Sequence, residues 1–261
     1  MSAILLDGGI VHYEVIGRGR PIIFLHGWVG SWRYWVPAMQ TASTSFRAYA
    51  VDMWGFGESA RETARYGLDQ QLSLLDHFLQ EMGIGKVALV GHGLGALIGL
   101  SFTMRYPTVV DRIMAVDVPF DLDSVNNRLR TGALPDLVEW LLSKDPATEP
   151  ARTDGIKSDP LALSTSFNSP DAFNLSTRIS SLSTACLLVH GQNDPAIVAP
   201  SFDLNSAPPM MQTVVLDQTG HFPMLDDAPR FNRLLNDFLT LESGESPRDL
   251  QLKEEWKRRV R

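Results

Sequence analysis

Short apolar runs alternate with longer amphipathic stretches along most of the chain. Residues 2–6 and 10–16 predict two strands, which Asp7-Gly8-Gly9 joins in a tight turn. Six further runs are nearly continuous in apolar residues, as is typical of parallel strands covered on both faces: 21–25, 46–51, 86–90, 112–116, 185–189 and 213–216. The stretches between them predict four helices: 67–82, 94–106, 196–206 and 228–241. The alternation predicts the α/β class, with a mostly parallel eight-stranded sheet that is flanked by helices.

The residues between about 118 and 183 break this alternation. No run there predicts a strand, and four prolines punctuate it: Pro146, Pro150, Pro160 and Pro170. The pattern favours a helical cap inserted over the C-terminal edge of the sheet, where open α/β sheets bind their ligands. We therefore expect one domain over residues 1–242, with the cap insertion at about 118–183.

The last residues, 243–261, differ in character from the rest. Leu252, Trp256 and Val260 follow one another at four-residue spacing, with Lys and Arg between them. This basic amphipathic tail has two interpretations. It could contact an anionic membrane or a partner, or it could be a terminal helix that docks on its own domain or frays.

Composition excludes several classes of protein. The 261 residues are 44% hydrophobic and 20% charged, which suits one large domain. A net charge of −7 argues against a nucleic-acid surface, and no apolar run approaches the roughly 20 residues of a membrane helix. The N-terminus lacks the basic region of a signal peptide. Cys186, the single cysteine, is expected to be a buried small hydrophobe. These features predict a cytoplasmic protein without a membrane span, and they leave its oligomeric state open.

Chemically distinctive segments stand directly after five of the predicted strands. In parallel sheets these ends meet at one edge, so the segments are expected to converge on one site. They are His26-Gly27-Trp28, Asp52-Met53-Trp54-Gly55-Phe56-Gly57-Glu58-Ser59, Gly91-His92-Gly93-Leu94-Gly95, His190-Gly191-Gln192-Asn193-Asp194-Pro195 and Gly220-His221-Phe222-Pro223.

In this order, the motifs resemble those of the α/β-hydrolase superfamily, specifically its compact esterase, C–C-bond hydrolase and haloperoxidase-like branch. The resemblance spans residues 2–242. In that family a Gly-x-Ser-x-Gly elbow between a strand and a helix carries the nucleophile, and an acid and then a histidine follow along the chain. Here the elbow is 91–95, Asp194 follows Gly93 by 101 residues, and His221 follows Asp194 by 27.

The resemblance implies a role for each matching residue. His221 would act as general base, and Asp194 would hold its tautomer and stabilise the imidazolium. The backbone N–H groups of Trp28 and Leu94 would form an oxyanion hole. His92 and Phe222 are expected to lie at the pocket. The implied ligand is a small apolar ester, lactone or similar carbonyl compound, and no cofactor and no metal are implied.

The chain departs from the family pattern at the centre of the elbow, which is Gly93. Without a side chain no acyl-enzyme can form there, and loss of a triad nucleophile costs on the order of 10⁶-fold in rate. A residual acceleration of about 10³–10⁴-fold can survive through the oxyanion hole and binding. Three hypotheses stay open: an engineered serine-to-glycine knockout, a natural protein in which the His221–Asp194 dyad acts directly as a base, and a natural descendant that binds a small molecule without catalysis.

A rival interpretation comes from a different class of protein. Residues 91–96 also match Gly-x-Gly-x-x-Gly/Ala, and Asp117 stands 21 residues beyond Ala96, as in a dinucleotide-binding oxidoreductase. That fingerprint normally follows the first strand of its sheet, whereas several predicted strands precede it here. It also leaves Asp194 and His221 without roles.

Other polar residues have plainer interpretations. His26 is expected to shape the oxyanion loop, and Asp52 to serve a structural turn. Asp117 is a candidate second acid, since some superfamily members carry their acid after the preceding strand. His12, His77 and His190 lack the paired spacing of metal ligands. Taken singly, Asp194 and His221 could also be an ordinary loop acid and a surface histidine.

Overall fold

All eight predicted strands form, each within two residues of its expected bounds. The computed structural model describes residues 2–168, 173–201 and 207–250. The strands are β1 (Ser2–Leu6), β2 (Gly9–Gly17), β3 (Arg20–Leu25), β4 (Phe46–Val51), β5 (Val87–His92), β6 (Val110–Val116), β7 (Ala185–Gly191) and β8 (Met211–Leu216). They pair in one sheet in the order β1-β2-β4-β3-β5-β6-β7-β8. Strand β2 runs antiparallel to β1 and β4, and every other neighbouring pair is parallel. The prediction of a mostly parallel eight-stranded sheet is confirmed.

The described helices cover both faces of the sheet and the edge where its strands end. They are α1 (Val36–Ala42), α2 (Leu68–Glu81), α3 (Leu94–Arg105), α4 (Asn127–Thr131), α5 (Leu134–Leu141), α6 (Glu149–Gly155), α7 (Pro160–Ser166), α8 (Leu175–Arg178), α9 (Pro223–Asp226) and α10 (Ala228–Thr240). Helices α2, α3 and α10 match predicted helices. The leucines of α2 form one buried stripe, which is why their three- and four-residue spacing was informative.

The predicted helix over 196–206 is wrong for its described part, residues 196–201. Ile197 forms an isolated antiparallel bridge with Val125, and the carbonyl of Ala196 accepts a hydrogen bond of 2.8 Å from the amide of Asn126. The backbone groups of Ala196 and Ile197 therefore pair with the segment after β6 and not with a further turn of a helix. Residues 202–206 lie outside the described part of the chain.

The segment between β6 and β7 is helical, as its sequence predicts. Its described residues contain helices α4 to α8 and isolated bridges, but no strand. Helix α6 is tied to the loop after β3, because Asp154 accepts a hydrogen bond of 2.6 Å from the Ser31 hydroxyl and one of 2.9 Å from Arg33 Nε. The role of this segment as a cap, and the domain bounds, stay predictions.

The start of the C-terminal tail packs on the domain. The guanidinium of Arg248 donates to the carbonyls of Met211, Ala207 and Pro208 beside β8, at 2.9–3.0 Å. The spaced Leu252, Trp256 and Val260, and the Lys and Arg residues between them, lie outside the described residues. Among the described helices, none has the length and apolar character needed to span a bilayer.

Candidate active site

The predicted elbow lies at the centre of the sheet. Strand β5 ends at His92, α3 begins at Leu94, and Gly93 between them has φ 51° and ψ −109°. A Cβ atom on Gly91 would meet the carbonyl of Gly95, and one on Gly95 would meet the carbonyl of Leu25. Glycine is required at these two positions because the turn from strand to helix is tight and backbone atoms occupy the space that a Cβ atom would need.

The backbone amides around the elbow fall into two groups. Those of Gly93 and Gly95 donate to sheet-side carbonyls, of Val116 at 2.9 Å and His26 at 3.0 Å. Those of Trp28 and Leu94 bind no acceptor within the described ranges. The Leu94 amide has no intrahelical partner because it opens a helix. The oxyanion hole that these two amides would form stays a prediction. A dinucleotide phosphate would need the amides of Gly93 and Gly95 as donors, but both already donate to these carbonyls. This weakens the interpretation as a dinucleotide-binding protein.

His221 and Asp194 meet although 27 residues separate them. His221 Nδ1 lies 2.8 Å from Asp194 Oδ2, and both side chains are almost completely buried. The other carboxylate oxygen of Asp194 accepts a hydrogen bond of 2.7 Å from the amide of Ala196. The carboxylate is therefore held in place from the loop after β7, and it holds the imidazole on the loop after β8.

Electrostatics within the pair favour a charged carboxylate beside a basic imidazole. Burial lowers the pKa of His221, but the charge of Asp194 and the hydrogen bond to it outweigh burial, so the pKa is raised. Burial raises the pKa of Asp194, and His221 together with backbone amides reverses that effect and lowers it. With its Nδ1 proton directed at the carboxylate, the ring can accept a proton at Nε2.

Asp117 is a second acid beside the pair. It is fully buried, with φ 45°, and its Oδ1 accepts a hydrogen bond of 3.0 Å from the amide of Gly191. Its Oδ2 has no hydrogen-bond partner among the described residues. Burial and the nearby charge of Asp194 raise the pKa of Asp117 well above its usual range.

One group of described side chains could offer ligands to a metal ion. His92, Asp117 and His221 are all buried and bring one potential ligand atom each within 4.8 Å of one another. Imidazole and carboxylate donors suit zinc or iron. However, His221 Nδ1 is bound to Asp194, and His92 Nδ1 lies 2.9 Å from the Tyr34 hydroxyl. The absence of a metal from the function stays a prediction.

His26 and Tyr34 hold the loop that carries the Trp28 amide. His26 Nδ1 donates to the carbonyl of Gly27 at 2.8 Å, and Nε2 accepts from the amide of Met53 at 3.1 Å. Burial lowers the pKa of His26, so this neutral arrangement is stable. Tyr34 was missed by the sequence analysis. Its hydroxyl accepts from the Gly27 amide at 2.6 Å and contacts His92, and no motif marks it.

His92 and Phe222, the predicted pocket residues, lie beside His221. The His92 ring centre is 4.6 Å from that of His221 and 4.8 Å from that of Phe222. Burial, and then the charge of His221, lower the pKa of His92 well below its usual range. Both side chains are buried, and their contact with a ligand stays a prediction.

Asp52 serves the structural role expected of it. Its carboxylate accepts hydrogen bonds from His12 Nδ1 and the amide of Trp32, both at 2.8 Å, which join β2 to the loop after β3. A Cβ atom on Gly57 would collide with this carboxylate. His190 is buried behind the site, and burial lowers its pKa to about 4.

The loops that carry Asp194 and His221 touch at Gly191, which leads to a first prediction. A Cβ atom at Gly191 would overlap the carbonyl of Gly220. We expect Gly191→Ala to lower the free energy of unfolding by about 3 kcal/mol, because backbone has to shift. Gly220→Ala is the matched control, since its Cβ meets nothing closer than Asp226 Oδ2 at 3.4 Å. Urea unfolding of both variants measures the difference, and equal losses would contradict the tight contact.

The comparisons with known proteins agree with this fold. Residues 20–143 match the family model described as the alpha/beta hydrolase fold. The chain is 28% identical to a 2-hydroxy-6-oxo-2,4-heptadienoate hydrolase of Pseudomonas putida, over 93% of this chain and 97% of that protein.

Solved structures with low sequence identity share the fold. An enol-lactonase from Burkholderia xenovorans LB400 superposes with a TM-score of 0.79 at 18% identity, over 92% of this chain and all of that one. A meta-cleavage product hydrolase from Pseudomonas fluorescens IP01 gives 0.76 at 22% identity, over 92% and 97% of the two chains. This chain therefore has the α/β-hydrolase fold, and its relatives are hydrolases of that family.

Proposed function

We propose that this protein acts on a small apolar ester, lactone or similar carbonyl compound through its His221–Asp194 pair, without an acyl-enzyme. The observation that carries the proposal is the 2.8 Å contact between His221 Nδ1 and Asp194 Oδ2 at the edge where the elbow lies. A buried, oriented imidazole with a raised pKa is suited to proton transfer. Gly93 offers no nucleophile, so the attacking group has to be water.

The chemistry follows from the positions of these groups. His221 Nε2 removes a proton from a water molecule as the water oxygen bonds to the carbonyl carbon of the substrate. The carbonyl oxygen becomes an oxyanion, which the amides of Leu94 and Trp28 stabilise. Asp194 stabilises the imidazolium. The intermediate then expels the alcohol or enol, which takes the proton from His221.

The relatives support the choice of substrate class. One is named for the hydrolysis of an unsaturated oxo acid and one is an enol-lactonase, so both names describe carbonyl substrates. A second candidate function is binding of such a compound without turnover. It is favoured by the combination of Gly93 with a tryptophan ring directly against the elbow.

The pH dependence of ester hydrolysis tests the proposal. His221 has to be neutral to act as a base, so kcat/KM for a p-nitrophenyl ester should rise with pH through a limb above the ordinary histidine pKa of about 6.5. Asp194→Asn removes the charge that raises the pKa of His221, so burial should move this limb to lower pH. The rate on the plateau should also fall, since the imidazolium loses its partner. An unmoved limb in Asp194→Asn would contradict the proposed pair.

A further inference from the structure

The space in front of Gly93 is occupied by the side chain of Trp28. A Cβ atom on Gly93 would lie 3.1 Å from both Cε3 and Cζ3 of the indole, and 3.6 Å from the Cα of Gly27. Carbon atoms pack at about 3.5–4.0 Å, so the first two contacts are too short. The indole is therefore the first group that any side chain at position 93 would meet.

The indole is held from its far side by the segment between β6 and β7. The Ser166 hydroxyl, at the end of α7, donates to the carbonyl of Leu163 at 2.6 Å, which leaves its oxygen to accept. Trp28 Nε1 donates to that oxygen at 2.7 Å. The Phe167 ring stacks on the indole with centres 4.9 Å apart and planes 17° apart. Trp28 is fully buried, so a shift of the ring away from position 93 would strain these contacts.

We propose that the indole of Trp28 fills the space into which a nucleophile side chain at position 93 would project. Its hydrogen bond to Ser166 and its stacking on Phe167, both in the predicted cap, hold it there. Gly93 and Trp28 then form a matched pair, in which the missing side chain at one position makes space for the ring at the other. It follows that a side chain at position 93 requires the indole to shift by a few tenths of an ångström while Trp28 is present. It also follows that the elbow and α7 are mechanically linked through one residue.

A thermal-unfolding cycle tests this pairing without any assumption about activity. Gly93→Ala adds a Cβ atom both in a left-handed conformation and against the indole. The control for a glycine at positive φ is Gly83→Ala, since Gly83 has φ 65° and nothing within 4 Å of its added Cβ. Gly83→Ala measures the cost of a positive φ without a steric contact, which should lower Tm by about 2–4 °C. We expect Gly93→Ala to lower Tm by about 6–10 °C in the unaltered chain.

The same substitution in a Trp28→Leu background isolates the indole contact. There Gly93→Ala should lower Tm by about 4–6 °C less than in the unaltered chain, and the loss that remains is the cost of the backbone conformation at position 93. The proposal is overturned if Gly93→Ala costs no more than Gly83→Ala in the unaltered chain, or if its excess cost over Gly83→Ala is unchanged in the Trp28→Leu background. Should Trp28→Leu fail to fold, Ser166→Ala replaces it. Loss of the hydroxyl acceptor frees the indole, so the excess cost has to shrink, and an unchanged excess counts against the proposal.

Discussion

Gly93→Ser combined with Trp28→Leu is expected to make the protein react covalently with a fluorophosphonate probe and to raise p-nitrophenyl ester hydrolysis at least about 100-fold. A serine at φ 51° between β5 and α3 would stand where α/β-hydrolases carry their nucleophile. The His221–Asp194 pair would activate it, and the smaller leucine side chain in place of the indole would leave it room. Gly93→Ser alone should label at least about tenfold more slowly, because Trp28 obstructs the new side chain.

Mass spectrometry of the labelled protein identifies the modified residue. The control adds His221→Ala to the double variant, and labelling should then disappear, since the serine hydroxyl has lost its base. A folded double variant that takes no label would show that the imidazole and the elbow do not converge on a reacting atom. In that case non-catalytic binding becomes the better account of the site.

His221→Ala in the otherwise unaltered chain is expected to lower the rate of p-nitrophenyl ester hydrolysis by about 10²–10⁴-fold. The reason is that Gly93 supplies no nucleophile, so base catalysis by the imidazole carries most of the remaining rate. His77→Ala is the matched control, because His77 also pairs with a carboxylate, Asp7, at 2.7 Å, but on the exposed surface. Its rate should be unchanged.

The rates are measured with purified variants whose unfolding midpoints are compared first. Equal rates in the unaltered protein and His221→Ala would remove the pair from the chemistry. An equal loss in His77→Ala would show that the effect comes from general damage and not from the site.

Hydrophobic periodicity was sufficient for the sheet. Strands β3 to β7 lie inside the sheet, and continuous apolar runs such as Val87–Val90 mark them because both faces are buried. The helix predicted over 196–206 failed in its described part because local periodicity cannot anticipate a partner. Ile197 pairs with Val125, 72 residues earlier, and this bridge replaces helical hydrogen bonds.

Some residues of the candidate site could likewise be predicted from the sequence, and others could not. Asp194, His221 and the elbow glycines were predictable because each follows a strand and belongs to a motif with a fixed order. Tyr34 was not, since its hydroxyl acts on Gly27 and His92 only after the chain has folded. The raised pKa of Asp117 could not be predicted either, because it results from burial beside a second carboxylate.

The linear order of residues by itself determined the class of fold, the strand ends that carry the candidate site residues and the missing side chain at position 93. Those features are local, because periodicity indicates which faces of an element are buried and a turn motif indicates the backbone conformation of its own residues. The tertiary structure alone decided the contacts that no motif marks, namely those of Trp28 with Gly93 and Ser166 and those of Tyr34 with Gly27 and His92. Contacts of this kind depend on distances of a few tenths of an ångström between segments far apart in the chain, and sequence spacing carries no such information.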